Sequence, residues 1–430
     1  MYSKKIFLSG LLFFSSHQVY SAESISTKIQ NSYSSFRALG MGNAFTAIVD
    51  DYSVIQYNPA GLSRLKKGEI QFSLLGAGIS ANTTKMISDI SDASKTAGSD
   101  SAKATAVSNA LEPYYGKPLG AKIQAIEFFW VRPNWGISFT PVDLTIDMSV
   151  NRQLGPSLDL NIKKDTTLSY GQSFDLLENL SLGASVRFVH RDSIEQTVSA
   201  LELATDSNVL NPKRFKEGFG FNSDVGVMWS PEFSQQTRTV AEDTKSEIIP
   251  TAEKIVEAVA EDNPSRIVIK TPENLNVDSK SNIYNPLTLS LVTRNVLSLV
   301  NTGFSKSTLV NKESLEAPAK LDPVVDLGSA YDIFRSEDMT LRTAFDLKNI
   351  FYPGLTPIKS THLGIEFNYA PGSWFKTQAR LGFNQMYLTA GFTVLLGILE
   401  IDMVTYGEEV GTTESRSENR VTAAKIGFNF

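Results

Sequence analysis

The chain contains no cysteine, and this absence excludes structural disulfides, thiolate chemistry and zinc sites built from cysteine. Beyond the N-terminus there is no run of about 18 apolar residues, which excludes a helical membrane span there. The net charge of −6 comes without a basic stripe, so nucleic acid is not an expected partner. Only three histidines occur among 430 residues, and none stands in a nucleophile motif. Neither an enzyme nor a metal or other cofactor is therefore predicted.

Composition favours a folded chain, because hydrophobic residues make up 42% and charged residues 20% of the sequence. A chain of 430 residues is long enough for several ordinary domains or for one large barrel. Its near-neutral mean hydropathy fits a soluble protein, and it equally fits a barrel whose strands alternate apolar and polar residues. Composition leaves both classes open.

The N-terminus has the pattern of a secretory signal peptide, which we assign to residues 1–22. Two lysines provide a positive n-region, and the apolar run Ile6–Phe14 is too short to span a bilayer. Small residues follow, and cleavage after Ser21 or after Ala22 fits equally well. The chain is therefore expected to be exported, and we predict the outer membrane of a Gram-negative bacterium as its location.

From Lys67 onward the sequence alternates between apolar and polar residues in segments of about ten residues. In residues 361–369, apolar side chains occupy every second position, and His362, Gly364 and Glu366 occupy positions between them. A period of two indicates β-strands whose two faces have different surroundings. A soluble β-sandwich and a transmembrane barrel share this period and differ in which face meets water.

The C-terminus favours the barrel. The last strand ends on Phe430 with Phe428 two residues before it, which is typical of the signal read by the outer-membrane assembly machinery. Counting back from Phe430 gives about fourteen strands, an even number as a closed single-chain barrel requires. We predict an all-β fold, a transmembrane antiparallel β-barrel over residues 67–430. The predicted strands are 68–80, 121–132, 135–150, 157–173, 181–198, 218–230, 286–300, 322–334, 339–350, 361–370, 375–384, 387–396, 399–410 and 419–430.

Two long insertions interrupt the strands. Strand parity places residues 81–120 in an extracellular loop, where Met86 and Ile90 have weak helical spacing. Parity places residues 232–285 in the periplasm, and Ile248–Ala260 within them is predicted as a short amphipathic helix. Periplasmic turns are usually short. The second insert is therefore either a specialised docking element or a sign of one miscounted strand.

Residues 23–66 do not alternate and form a separate segment. Gly40 and Gly42 lie in a glycine-containing motif, but no strand precedes it, no Lys-Ser/Thr pair follows and no third glycine completes it, which excludes a phosphate or dinucleotide loop. We expect these glycines to let backbone pack against backbone. The Asn58-Pro59 pair indicates a turn, because proline fixes its own φ and biases its predecessor towards extended backbone.

This segment resembles the N-terminal region of the FadL-like outer-membrane proteins. The resemblance is carried by RALGMGNAF at 37–45, an Asp-Asp pair at 50–51 and YNPAGL at 57–62. That superfamily includes hydrocarbon and fatty-acid transporters (FadL, TodX), PorV-like proteins and a branch named conjugal transfer protein TraF, to which the C-terminal portion is most similar. The resemblance implies that residues 23–66 form a hatch inside a fourteen-stranded barrel. The implied hatch and gating residues are Gly40, Gly42, Asn58, Pro59 and Ala60.

Charged residues on the polar strand faces are expected to line the lumen, either as a hydrogen-bonded network that anchors the hatch or as a lining past which a solute moves. His362 is predicted to pair with Glu366 within this lining. His190, Tyr114 and Phe304 lie near predicted strand or loop ends, where we expect them at the membrane–water interface. The residues assigned to the lumen network are Arg342, Asp346, Glu366, Arg380 and Asp402.

The leading functional hypothesis is an outer-membrane channel that takes up small hydrophobic or amphipathic molecules, such as long-chain fatty acids, through a hatch-gated barrel. The alternative is a non-transporting outer-membrane scaffold that presents or anchors partners in secretion or conjugal transfer. The expected partners are outer-membrane lipid, a hydrophobic small-molecule ligand, the outer-membrane assembly machinery and, at residues 232–285, a periplasmic partner. Whether 232–285 binds such a partner would discriminate between the two functions.

Overall fold

A computed structural model describes the protein over residues 33–151, 157–206, 210, 212–231, 236–238, 282–284, 286–300, 303–314, 316–350, 352, 355–410 and 417–430. These residues form one closed antiparallel β-barrel with a short helical segment against its inner face. No helix in these ranges is long and apolar enough to cross a membrane. The predicted signal peptide lies outside the described residues.

Fourteen strands form the barrel, and all but one match the predicted strands to within a few residues. The exception is the strand predicted over 286–300, which ends at Arg294 because Asn295 adopts a φ of 56° and residues 296–300 form a 3₁₀ helix. The barrel strands and three short additional strands (β7, β8, β10) are β1 Glu69–Ser80, β2 Leu119–Arg132, β3 Trp135–Asn151, β4 Ser157–Leu177, β5 Leu180–Ser199, β6 Lys216–Trp229, β7 Gln236–Arg238, β8 Asn282–Tyr284, β9 Leu287–Arg294, β10 Ser305–Lys306, β11 Val324–Arg335, β12 Met339–Ile350, β13 Thr361–Gly372, β14 Phe375–Asn384, β15 Tyr387–Leu396, β16 Leu399–Glu409 and β17 Glu418–Asn429.

The barrel closes at two places. β1 pairs with β17, and the Phe430 N–H donates to the carbonyl oxygen of Ile70 at 2.8 Å while the Ile70 N–H donates to Phe430 at 3.1 Å. β6 pairs with β9 and so joins the two halves of the chain across the insert between them. Each barrel strand is thus paired on both sides over at least part of its length, as a sheet in hydrocarbon requires.

Side chains that face the barrel interior are mostly polar, and those that face outward are mostly apolar. Glu366 and Arg187 face inward and are 1% and 2% exposed, whereas the outward-facing Phe221 and Leu381 are 64% and 55% exposed. In a soluble sandwich the apolar faces would be buried and the polar faces would meet water. The inverted arrangement is that of a transmembrane barrel, and it excludes the soluble alternative.

Residues 33–66, which we call the inner segment, contain only short helices. α1 (Phe36–Gly40) begins after Ser35, whose hydroxyl oxygen accepts a hydrogen bond from the Ala38 N–H at 3.1 Å. α2 (Val54–Tyr57) is a single turn. Helices this short do not persist alone in water. The conformation of the inner segment therefore depends on what it packs against.

Three helices cover part of the rim that lies opposite to the chain's C-terminus: α3 (Ala81–Ser94), α4 (Asp100–Leu111) and α5 (Ala200–Thr205). The helical spacing predicted within 81–120 falls in α3, where Met86 is buried. A fourth helix, α6 (Pro357–Ser360), lies in another loop at this rim. The apolar cluster that holds the rim helices to the strands contains Met86, Val107, Leu111, Tyr114, Leu119, Val150, Leu158 and Ala200.

The insert after β6 leaves the barrel at the same rim as the C-terminus, because β6 and β17 run in the same direction in an alternating antiparallel barrel. Its described ends are β7 and β8, which pair with each other as a two-stranded sheet separate from the barrel. The alternation pattern of the sequence does not predict these two strands. The helix predicted over Ile248–Ala260 lies outside the described residues.

One edge of β6 extends beyond its neighbour, because β9 pairs only with Val225–Trp229. Residues 303–314, which we call the strap, cover this edge, and β10 within the strap pairs with β6. Glu217 on β6 holds the strap: its carboxylate accepts hydrogen bonds from the Ser307 hydroxyl at 2.8 Å and from backbone N–H groups, including that of Asn311 at 2.7 Å. Covering an exposed strand edge prevents it from pairing with another chain.

We expect Glu217→Ala to release the strap, because several backbone N–H groups then lose their acceptor. Limited proteolysis of detergent-solubilised protein should cut residues 303–314 about tenfold faster, while heat-modifiable gel migration of the barrel is retained. The matched control is Glu316→Ala, since this nearby carboxylate is 69% exposed and pairs with the surface residue Lys216 at 3.3 Å. Equal cleavage rates in the two variants would contradict the assigned role of Glu217.

Candidate functional site

The candidate site is the contact between the inner segment and the barrel wall, where backbone meets backbone. Gly42 has a φ of +65°, and a Cβ added to it would overlap the carbonyl oxygens of Leu363 and Phe383. A Cβ on Gly364 of β13 or on Gly382 of β14 would in turn overlap the backbone of the inner segment. Only glycine permits this approach from both sides.

Side chains of the wall bind the same turn of the inner segment. The Thr389 hydroxyl donates to the carbonyl oxygen of Gly40 at 3.0 Å and accepts from the Gly42 N–H at 2.9 Å. The Nδ1–H of His362 donates to the Gly42 carbonyl oxygen at 2.8 Å. Gly40 lies against Gly391, since a Cβ on Gly40 would be 3.0 Å from the Cα of Gly391. The glycine turn is thus held by hydrogen bonds as well as by shape.

Two charged residues of β12 bind the chain that follows this turn. The carboxylate of Asp346 accepts hydrogen bonds from the backbone N–H groups of Phe45 at 2.9 Å and Thr46 at 3.0 Å. The ammonium of Lys348 donates to the carbonyl oxygen of Asn43 at 3.1 Å. A charged partner makes such hydrogen bonds roughly twice as strong as neutral ones. The wall therefore fixes the backbone of the inner segment.

A second close contact involves Asn58, at the start of the 3₁₀ helix Pro59–Arg64. The side-chain oxygen of Asn58 accepts from the Ala60 N–H at 3.1 Å, so Asn58 caps the helix that Pro59 opens. A Cβ on Gly183 of β5 would overlap the backbone of Pro59 and Ala60, and one on Gly226 of β6 would overlap the Asn58 side chain. The Asn-Pro-Ala turn therefore rests on two wall glycines.

Arg294, the last residue of β9, holds the helix before this turn. Its guanidinium donates to the carbonyl oxygens of Gln56 at 2.7 Å and Tyr57 at 2.8 Å. These carbonyls belong to the last turn of α2, where a cation is favoured by the helix dipole and satisfies acceptors that lack an intrahelical partner. Asp326 on β11 pairs with the same guanidinium at 2.7 Å and keeps it in position.

The centre of the interface is Arg37 of the inner segment, which is 7% exposed. Its guanidinium donates to both carboxylate oxygens of Glu366 on β13, at 2.7 and 2.6 Å. It also pairs with Asp50 at 2.7 Å and Asp51 at 2.9 Å within the inner segment. Planar two-point pairing of this kind is specific in direction as well as strong. Arg37 therefore stabilises the conformation of the inner segment and also attaches the segment to the wall.

The wall extends this ionic contact on both sides of Glu366. Arg342 on β12 pairs with the other oxygen of Asp50. Arg380 on β14 lies with its Nε 3.7 Å from Glu366 and a terminal nitrogen 3.5 Å from Asp402 of β16. The network therefore connects the inner segment to four wall strands, and each of its buried charges lies near a charge of opposite sign.

The electrostatics keep Asp50 ionised. Burial raises the pKa of its carboxyl group, but the guanidinium groups of Arg342 and Arg37 outweigh burial and hold the pKa well below its usual range. A carboxylate with a depressed folded pKa stabilises the protein above its unfolded pKa of about 3.9, and this contribution is lost only as pH falls through the lower folded pKa. The ionic docking of the inner segment is therefore expected to persist through neutral and mildly acidic pH.

The five lumen residues chosen from the sequence all face inward in the structure. The predicted pairing of His362 with Glu366 is wrong, because His362 binds the Gly42 carbonyl while Glu366 binds Arg37. The alternation of residues along the strand correctly predicts that both side chains lie on the inward face. Alternation contains no information about their hydrogen-bond partners, which belong to the inner segment.

The sequence pattern does not predict the close contacts at the wall glycines or the pairing of Arg37 with Glu366. Gly183 and Gly226 stand at inward positions where alternation would place a polar side chain. A glycine in such a position is a usable signal, since an internal glycine in a strand often marks a close approach of another backbone. Arg37 was recognised only as part of a family motif, and no local pattern identifies its partner on β13.

Two aromatic residues expected at the membrane interface lie elsewhere. Tyr114 is 2% exposed, and its hydroxyl donates to Asp89 at 2.6 Å beneath the rim helices. The ring of Phe304 lies against Gly220, and the guanidinium of Arg191 is 5.2 Å from its centroid. In both cases the loops fold back onto the barrel, and packing replaces contact with lipid.

Within the described ranges, one cluster has the donor types of a metal site. The ligand atoms of His190, Asp192 and Glu217 lie within 4.8 Å of one another on the outward face below the strap. The carboxylate of Glu217 already accepts the hydrogen bonds of the strap and faces the Nε2 of His190 at 3.0 Å. This donor set is therefore occupied by the protein itself, and we assign it to holding the strap.

An apolar exterior, a polar interior and a segment docked inside define the class of this protein as a transmembrane β-barrel with an internal N-terminal segment. No protein-family profile and no curated protein matches the chain. Among solved structures it is similar to the CymD monoaromatic hydrocarbon channel (9% identity, 91% of this chain and 96% of that chain covered, TM-score 0.42). It is also similar to the Pseudomonas putida toluene transporter TodX (8%, 91% and 96%, TM-score 0.41) and to a Pseudomonas aeruginosa FadL homologue (10%, 91% and 96%, TM-score 0.31).

Proposed function

We propose that this protein is an outer-membrane channel in which the inner segment acts as a hatch. The observation that carries the proposal is the construction of the segment. Thirteen of its apolar side chains pack on one another in a core that also includes four wall side chains, and hydrogen bonds, ion pairs and close glycine contacts attach the segment to the wall. Two further apolar residues, Phe36 and Leu39, pack directly on wall side chains. A body with its own core can move as a unit while the barrel stays closed. The segment residues of that core are Tyr33, Ala38, Met41, Ala44, Phe45, Ile48, Val49, Tyr52, Val54, Ile55, Tyr57, Ala60 and Leu62.

The proposed opening is a displacement of the hatch from its two glycine contacts. Asn58 is central to it, because its side chain caps the following 3₁₀ helix and also donates to the carbonyl oxygen of Thr46 at 3.0 Å. A shift at Asn58 would therefore move both parts of the segment together. The hatch role of Gly40, Gly42, Pro59 and Ala60 is part of the same proposal.

For the solute we propose a small amphipathic molecule that carries a charged or polar group, a class that includes fatty acids. The polar and ionic side chains along the inner wall favour such a solute over a pure hydrocarbon, because an apolar molecule gains nothing from displacing water from charged groups. The titles of the similar structures name monoaromatic hydrocarbons and toluene for those proteins.

A reversible crosslink tests the hatch. The hydroxyl groups of Thr46 in the hatch and Ser290 in β9 are 3.3 Å apart, and the chain has no native cysteine, so Thr46→Cys with Ser290→Cys gives one defined disulfide. We expect oxidation to abolish uptake of dodecanoate into proteoliposomes and reduction to restore it. The single Ser290→Cys variant, treated identically, is the control. Equal uptake before and after reduction would overturn hatch gating.

The second candidate function is the non-transporting scaffold. It is favoured by the pairing of β7 with β8 in a two-stranded sheet that is not part of the barrel sheet. A scaffold would pass no dodecanoate in either redox state of the crosslinked variant. The same experiment therefore separates the two functions.

A further inference from the structure

A group of charged side chains occupies the lumen between the inner segment and the rim helices. Cross-strand partners share a face of the sheet, and the register gives three successive rows on β2, β3 and β4. In the first row, Asp143 lies between Gln124 and Asp165. In the second row, Thr145 lies between Lys122 and Lys163. In the third row, Asp147 lies between Gly120 and Asn161. We call the group formed by Lys122, Asp143, Asp147, Lys163 and Glu408 the charged rows.

Glu408 belongs to β16, which lies beyond the β1–β17 pairing that closes the barrel. It lies within electrostatic reach of Lys122, Lys163 and Asp147. The residue directly opposite to it on β17 is Asn419, which faces inward and whose side-chain oxygen accepts a hydrogen bond from the Ser80 hydroxyl. A Cβ on Gly120 would lie 3.2 Å from the amide nitrogen of Asn419, so Glu408 continues the row that contains Gly120 and Asp147.

Within the described part of the chain, these five side chains make no hydrogen bond or ion pair with one another or with a neighbour. Asp143 is 5% exposed, and its Oδ1 is buried without a hydrogen-bond partner. The other four face inward and yet are partly exposed, so they border an internal space that solvent reaches. A charged group left without a protein partner needs water or a ligand.

Two neighbouring basic side chains, Arg191 and Lys425, each have partners in the protein. Arg191 pairs with both oxygens of Asp165, at 2.7 and 2.7 Å. Lys425, closer to the inner segment, donates to the Tyr52 hydroxyl at 2.6 Å and lies 3.8 Å from Glu127. The charged rows hold two positive and three negative groups, and none of these five side chains has such a partner among the described residues.

We propose that the charged rows bind a small zwitterionic solute or head group. Successive inward rows on a strand are about 7 Å apart, and the rows alternate from acid at Asp143, to base at Lys122 and Lys163, to acid at Asp147 and Glu408. If the carboxylate of a zwitterion lies beside the two lysines, the ammonium group of the same molecule can reach the acidic row on either side of them. A simple anion would meet three negative groups, and a simple cation would meet the two lysines. This inference rests on the proposed channel function and names the polar head group that this part of the lumen binds most tightly.

Glycylglycine is a suitable probe, because its two charged ends are separated by one peptide unit. Binding is measured by saturation-transfer NMR and calorimetry on the full-length protein in detergent micelles. N-acetylglycine and glycinamide, which carry one charge each, are the comparison ligands. We expect glycylglycine to bind about tenfold more tightly than either of them.

The double variant Lys122→Met with Lys163→Met should weaken glycylglycine binding by about tenfold or more, and so should Asp143→Asn. The control removes two lysines outside the barrel, Lys85→Met with Lys117→Met, and should leave binding unchanged. Lys122→Arg with Lys163→Arg should retain binding, which shows that charge rather than folding is measured. Heat-modifiable migration verifies that each variant is folded.

Equal affinity for the three ligands, or binding unaffected by the Met variants, would overturn the proposal. The measurement does not require passage through the barrel, so its failure is distinct from failure of the channel. Binding with the expected variant pattern in a protein that passes no solute would refute the channel and retain the site.

Discussion

Replacing Arg37 with Met is expected to undock the inner segment while the barrel remains closed. The substitution removes the guanidinium that joins Glu366 of the wall to Asp50 and Asp51 of the segment. Breaking one partner of a buried ion pair costs about 3–5 kcal/mol, because it leaves uncompensated charge behind. The strands themselves do not depend on Arg37, since their hydrogen bonds run from strand to strand around the closed sheet.

Planar-bilayer recording measures the effect of Arg37→Met. Wild-type protein should show a low resting conductance, and the variant should show frequent, long openings. Lys95→Met is the control, because Lys95 pairs with Asp92 at 3.3 Å with both side chains at least 70% exposed, and such pairs contribute about 0–1 kcal/mol. The double variant Arg37→Met with Glu366→Gln should close more often than Arg37→Met alone, since it removes one of the stranded carboxylates. Identical conductance in wild type and Arg37→Met would show that ionic docking does not hold the segment.

Replacing Gly364 with Val should displace the inner segment by shape alone. A Cβ at this position would overlap the backbone at Met41, and neither the wall strand nor the docked turn can give way easily. Overpacking of this kind costs about 1–3 kcal/mol and more where backbone must move. Because the overlap involves backbone, rearrangement of side chains cannot relieve it.

Hydrogen exchange of the backbone amides in residues 36–46 measures the displacement caused by Gly364→Val, and we expect exchange there to accelerate about tenfold or more. The matched control is Gly372→Val on the same strand, where the nearest atom to an added Cβ is 3.8 Å away. Exchange in the barrel strands should change little in either variant. If both variants leave residues 36–46 equally protected, the glycine contact does not determine docking.

The barrel, and the inward direction of its polar side chains, could be predicted from the amino-acid sequence. Alternation with a period of two identifies strands and sorts their side chains into two faces, so fourteen strands and the inward direction of Arg342, Asp346, Glu366, Arg380 and Asp402 followed without a structure. The prediction deviated where alternation continued past a break: β9 ends at Arg294 because the next residue adopts a left-handed conformation, which apolar pattern alone does not reveal.

Which residues contact each other could be seen only in the folded chain. Arg37 and Glu366 are separated by 329 positions, and their pairing exists because barrel closure brings β13 around the inner segment. The same holds for Gly183 and Gly226 beneath the Asn58 turn. Period fixes the face on which a side chain lies, whereas its partner depends on closure, register and the path of the chain through the lumen. For that reason the sequence identified the wall and the segment separately, and the structure was needed to show how one holds the other.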